Sequence, residues 1–161
     1  MNHVVLALLC CLGATCVQAA EPARFVAKDR LPDGQTVVVA EGDLEARAVG
    51  SYSVRLYEAA EAPNDTRVFS SGLVRPREGA VAQVLLEDVN ADEQVEVVVV
   101  VRSVGTGSRR SARVFTVADG QLDVLVSVAD LAPDADLLEV LREKAQVREA
   151  VRQRQADRLK K

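Results

Sequence analysis

Aromatic side chains are scarce: Phe and Tyr together make up 3% of the 161 residues, and Trp is absent. Recognition by stacking bases or sugars on rings is therefore excluded. Histidine is limited to His3, and the three cysteines are Cys10, Cys11 and Cys16. Cationic charge is not in excess either, with 20 Lys and Arg against 24 Asp and Glu, a net charge of −4. Phosphate contacts need clustered cations, so no nucleic-acid partner is expected. No Gly-rich phosphate loop of the Walker or dinucleotide type occurs.

The positions of the rare residues matter more than their number. Val4–Val17 is an almost unbroken apolar run, VVLALLCCLGATCV. A membrane span needs about 20 apolar residues, so this run is too short for one. It ends in Val17-Gln18-Ala19-Ala20, a small-residue cleavage pattern, before polar Glu21. Residues 1–20 thus read as a secretory signal peptide, and no membrane span is expected. Its removal takes away every Cys and the single His. The remaining chain has no disulfide to staple it and must rely on a hydrophobic core. It also has no Ser-His-Asp triad, no Cys-His pair and no ordinary zinc ligands. Only carboxylate-pair or Lys-based catalysis stays open. On this inventory the chain is not expected to be an enzyme.

The full sequence is 48% hydrophobic and 27% charged, a globular composition. Short apolar or alternating runs recur at Phe25–Lys28, Thr36–Ala40, Tyr52–Tyr57, Arg67–Ser70, Val81–Leu86, Val95–Val101, Ala112–Val117 and Leu122–Val128. Pro, Gly, Asn and Asp punctuate them, as at Pro32-Asp33-Gly34, Arg77-Glu78-Gly79 and Asp119-Gly120. The pattern predicts an all-β antiparallel sandwich or barrel over residues 21–130. Val97–Val101 is continuous and β-branched, as expected of a central strand buried on both faces. Asp119-Gly120 is a two-residue hairpin signal. From Pro133-Asp134-Ala135-Asp136 onward, residues 131–161 read as one α-helix that docks by its first turns and ends in a charged tail. An exposed sheet edge makes a homodimer a further expectation.

Two loops are candidates for chemistry. In Asp88-Val89-Asn90-Ala91-Asp92, oxygens at alternate positions suit a hard cation such as calcium. Asp88, Asn90 and Asp92 would offer side chains, Gln94 a backbone carbonyl and Glu96 the last carboxylate. The sixth position is Glu93, where calcium loops place Gly for the sharp turn. The competing reading is an acidic turn whose Asp and Asn cap their own backbone. The second loop, Arg102–Ser111, has the sequence RSVGTGSRRS. Its glycines allow close backbone approach, and Arg109 and Arg110 offer forked donors for carboxylates. It reads equally as a partner-binding loop or as a plain soluble hairpin loop.

Three segments in order resemble the periplasmic inhibitors of invertebrate-type lysozyme: Gly50-Ser51-Tyr52-Ser53-Val54-Arg55-Leu56-Tyr57, the Asp88–Asp92 turn before a Val-rich strand, and RSVGTGS from Arg102 to Ser108. The resemblance spans roughly residues 35–128 and implies a periplasmic protein with an eight-stranded antiparallel β-sandwich. It also implies a protruding loop, with a Ser-Gly-x-Tyr pattern, that plugs the lysozyme's catalytic cleft. Those positions fall on Thr106, Gly107, Ser108 and Arg109. Thr keeps the hydroxyl, whereas Arg replaces an aromatic hydroxyl by a fixed cation. The partner-binding set implied is Ser103, Thr106, Gly107, Ser108, Arg109 and Arg110, with lysozyme as partner and no cofactor. The competing expectations are a calcium-linked secreted binding module and a carboxylate-based hydrolase.

Overall fold

The computed structural model describes residues 23–105 and 107–159. The expected signal segment and Thr106 lie outside them. Eight strands precede one helix. They are β1 (Val26–Arg30), β2 (Thr36–Glu41), β3 (Val49–Tyr57), β4 (Phe69–Glu78), β5 (Ala80–Glu87), β6 (Glu96–Arg102), β7 (Arg110–Ala118) and β8 (Gln121–Leu131), followed by α1 (Leu137–Leu159). Each half of the strand order forms its own antiparallel meander, β1-β2-β3-β4 and β5-β6-β7-β8. The two sheets pack face to face, and α1 covers the far face of the second.

Alternation along β6 divides the core into two layers. Val97, Val99 and Val101 point between the sheets, against Val37, Val39, Tyr52, Val54, Leu56 and Phe115. Val98 and Val100 point the other way and join Val114, Val126, Val128, Leu137, Leu141 and Ala145 beneath the helix. Tyr52 and Phe115 meet edge to face, with ring centres 6.4 Å apart. The helix begins where Asp136 caps it, its carboxylate accepting the Glu139 N–H at 3.0 Å. Only Leu137, Leu141 and Ala145 of α1 are buried. No helix among the described residues is long and apolar enough to cross a membrane.

The chain changes sheets between β4 and β5 at Gly79. A Cβ there would stand 2.0 Å from the Arg102 carbonyl oxygen, and φ is +121°. Only glycine fits this close crossing. Beside it, Arg77 is 3% exposed. Its guanidinium donates to the carbonyls of Ser51, Arg47, Ala46 and Gly79 and faces Glu41 at 3.7 Å. Glu41, also buried, accepts the Val81 N–H at 2.7 Å. One buried ion pair therefore ties the end of the first sheet to the start of the second. Arg77 and Glu78, expected as part of a turn, are the last residues of β4.

Candidate functional site

The loop between β6 and β7 leaves the sandwich from two of its inner strands. Those strands are paired in register from Val97↔Phe115 to Arg102↔Arg110, so the loop stands on a fixed base. The Ser103 N–H donates to the Arg109 carbonyl at 2.9 Å and closes it. Beyond that bond, Val104, Gly105, Gly107, Ser108 and Arg109 are all exposed. Val104 is 63% exposed. Gly105, Gly107 and Ser108 have φ of 138°, 122° and 43°. The two glycines take conformations that residues with side chains rarely adopt, which gives the loop its sharp outline. A Cβ on Gly105 would meet nothing within 4 Å.

The two arginines at the base differ in environment. Arg109 lies back on Asp130, its Nε donating to the carboxylate and its Nη2 to the backbone carbonyl. Both side chains remain exposed, at 48% and 75%. Asp130 is presented by a bulge: Arg110 pairs with Leu131 but Ala112 with Val128, so β8 carries an extra residue. Its φ is +60°. Nothing in the sequence signals this partner, because the bulge that turns it outward depends on strand register. Arg110 turns inward, and its Nη2 donates to the carbonyls of Ala132 and Ala135 in the segment leading to α1. Arg109 therefore belongs to the exposed surface of the loop, whereas Arg110 anchors its return limb. Ser103 is half-buried and contributes the closing hydrogen bond.

A cleft of about 340 Å³ opens between the sheets near the loop base, with Tyr52, Arg113, Ser111, Ser127 and Glu78 among its lining residues. The Arg113 guanidinium joins the Tyr52 hydroxyl at 3.0 Å to Ser127 Oγ at 3.2 Å. Burial pushes the Tyr52 phenol up from its ordinary value.

At the opposite pole, the candidate calcium residues form a self-contained turn. Asp88 accepts the N–H groups of Ala91 (2.7 Å) and Glu93 (3.1 Å), Asn90 that of Asp92 (3.1 Å), and Asp92 that of Gln94 (2.9 Å). Ala91 and Glu93 have positive φ. Glu96 is buried and accepts the Val89 N–H at 2.8 Å. Its carboxyl is held above the ordinary Glu range, first by burial and then by the charges of Asp92 and Asp88. Among the described residues, no group of three or more His, Cys, Asp and Glu side chains is placed to hold a metal ion.

Against known proteins, the sequence of residues 23–145 matches the family described as periplasmic lysozyme inhibitor of I-type lysozyme. Two solved structures are similar. One is PliI from Aeromonas hydrophila, at 42% identity and a TM-score of 0.69, covering 73% of this chain and 98% of that one. The other is A. hydrophila PliI in complex with the lysozyme of Meretrix lusoria, at 42% identity and a TM-score of 0.68, covering 73% of this chain and 95% of that one. Among curated proteins, none matches.

Proposed function

The chain belongs to the family of periplasmic inhibitors of I-type lysozyme, and from that premise we propose that it blocks lysozyme by inserting the β6–β7 loop into the catalytic cleft. The protein is a periplasmic inhibitor, not an enzyme, and its partner is a lysozyme. The observation that carries the loop reading is the exposure of Val104, Gly105, Gly107, Ser108 and Arg109 on a base of paired strands. A loop already closed by its own hydrogen bond loses little freedom on docking.

The chemistry at the tip suits a glycosidase. Such enzymes work with carboxyl groups flanking the scissile bond, and a general acid must hold its proton. The Thr106 and Ser108 hydroxyls are donors for the polar walls of the cleft. The Arg109 guanidinium can exchange the Asp130 carboxylate for one in the target. That exchange costs little, because an exposed ion pair is worth about 0–1 kcal/mol. In the closed cleft the same fork forms a stronger, charge-assisted bond and keeps the general acid ionised and inactive. Arg110 takes no direct part in this reading, since its guanidinium is bound to Ala132 and Ala135.

The test is the inhibition constant of Arg109→Ala against an I-type lysozyme. Loss of a buried charged hydrogen bond predicts a weakening of roughly tenfold to a hundredfold. Asp130→Ala should leave inhibition equal or slightly better, since it frees the guanidinium. An unchanged constant for Arg109→Ala would remove Arg109 from the mechanism. Unchanged constants for Val104→Asp and Ser108→Asp as well would remove the loop.

A further inference from the structure

The last turns of α1 have no counterpart in the family body. The family match ends at residue 145, and 98% of the A. hydrophila chain is accounted for by 73% of this one. Ala145 is also the last buried residue of the helix. From Gln146 to Leu159 the helix continues with every side chain exposed except half-buried Glu149. At about 1.5 Å per residue, this stretch runs roughly 20 Å past its last buried residue.

The charge of this projection is opposite to that of the rest. Residues 146–159 hold Arg148, Arg152, Arg154 and Arg158 against Glu149 and Asp157, a net +2, and the sequence adds Lys160 and Lys161 after them, in a chain of net −4. Arg148 is tied to the β8 carbonyls of Val124 and Leu125, and Arg152 pairs with Glu149 at 3.1 Å. Helical spacing places Val147, Val151, Arg154 and Arg158 on one stripe, at i, i+4, i+7 and i+11. Val147 and Val151 are 60% and 46% exposed. Glu149 and Asp157 fall on other faces.

The direction of the helix is fixed at both ends. Arg110, at the base of the inhibitory loop, holds Ala135 just before α1. Arg148 reaches Val124 and Leu125, toward the Asp119-Gly120 end of β8. The projection therefore leaves the sandwich at the pole opposite the β6–β7 loop.

We propose that this basic helical extension docks the inhibitor on an anionic phospholipid bilayer, with the inhibitory loop facing away from it. The stripe supplies cations for lipid phosphates, and with only Val147 and Val151 as apolar residues the attraction is chiefly electrostatic. Its length is what makes docking compatible with an acidic body. The turn bearing Asp88, Asp92 and Glu93 lies at the same pole and would be repelled by an anionic surface. Screening reduces that repulsion beyond about 8 Å at physiological ionic strength, and Leu159 stands roughly 10 Å along the helix past Arg152, the last helix residue to share a groove with Asn90 and Asp92. With only two valines to insert, the attachment is reversible and salt-sensitive.

Protein purified from the periplasm should co-sediment with phosphatidylglycerol-containing vesicles and not with pure phosphatidylcholine vesicles, and high salt should release it. The double variant Arg154→Glu/Arg158→Glu removes charges for which no ion pair is seen among the described residues. It should bind the anionic vesicles at least tenfold more weakly while melting and inhibiting lysozyme as the wild type does. Equal binding to both vesicle types, no binding to either, or undiminished binding by the variant would overturn the proposal. So would wild-type dimerisation lost in the variant, which would make a second copy the occupant. Lysozyme inhibition is scored separately, so failure here leaves the loop reading untouched, and the reverse holds.

Discussion

Replacing Arg77 by Met tests whether the crossover between the sheets depends on its buried ion pair. Met keeps most of the apolar stem and removes the guanidinium. The carbonyls of Arg47, Ala46 and Gly79 then lose the guanidinium donor, and that of Ser51 keeps only the Gly42 N–H. Glu41, 5% exposed, loses the cation 3.7 Å away but keeps the Val81 N–H. Glu45 suffers less, because it is partly exposed and keeps its bonds to Ser51. Removing one partner of a buried pair costs about 3–5 kcal/mol, much of it the penalty on the stranded charge. For a domain of this size, each kcal/mol shifts the melting temperature by about 2–4 °C, so Arg77→Met should melt roughly 6–20 °C lower. The double variant Glu41→Gln/Arg77→Met tells the two components apart. Once Glu41 carries no charge, the pair of changes should cost less than the sum of the singles, with coupling of about 0.5–3 kcal/mol. Urea melts of all four proteins, with the slope of the transition unchanged, provide the measurement. A single-variant loss under about 1 kcal/mol, or strict additivity, would refute the reasoning.

Further outcomes are expected elsewhere in the molecule. Glu96 has its carboxyl pushed up, so its contribution to stability is complete below the ordinary Glu value of 4.5 and is lost as pH rises through the higher folded value. Glu96→Gln, which cannot ionise, should therefore gain on the wild type between pH 4.5 and 7; a melting difference independent of pH would contradict this. Gly79→Ala should lower the urea midpoint far more than Gly105→Ala. Both glycines have strained φ, but only the Cβ at Gly79 strikes backbone. Chelation by EDTA should leave the melting temperature unchanged, because the Asp88, Asn90 and Asp92 oxygens already bond their own turn. A chelator-dependent drop would support the calcium reading.

Much of this architecture was legible in the sequence where local pattern and burial agree. The valine run of β6 announced a strand buried on both faces, and it fills two cores. Asp119-Gly120 takes φ of 52° and 70°, the paired positive values that a tight hairpin demands. β4 was harder to read: Gly72 and Pro76 interrupt its pattern, yet it is an edge strand, where a missing N–H costs nothing in the ladder. Arg77 resembled turn punctuation because only the tertiary fold encloses it. Ala145 carries too weak an apolar signal to mark the end of helix docking. In the site, the loop itself was legible from its glycines and hydroxyls. The different environments of Arg109 and Arg110 were not, since they depend on a bulge in β8 and on where the segment before α1 passes.

The lid over the second core follows every strand in the chain, so it is synthesised and exported after the whole sandwich. Until Leu137 and Leu141 arrive, the underside of the β5–β8 sheet is a bare aliphatic plane formed by Val98, Val100, Val114, Val126 and Val128. Bare planes of this kind recruit foreign strands and nucleate precipitates. A stop codon before Leu137 should therefore yield aggregated protein instead of a shorter inhibitor.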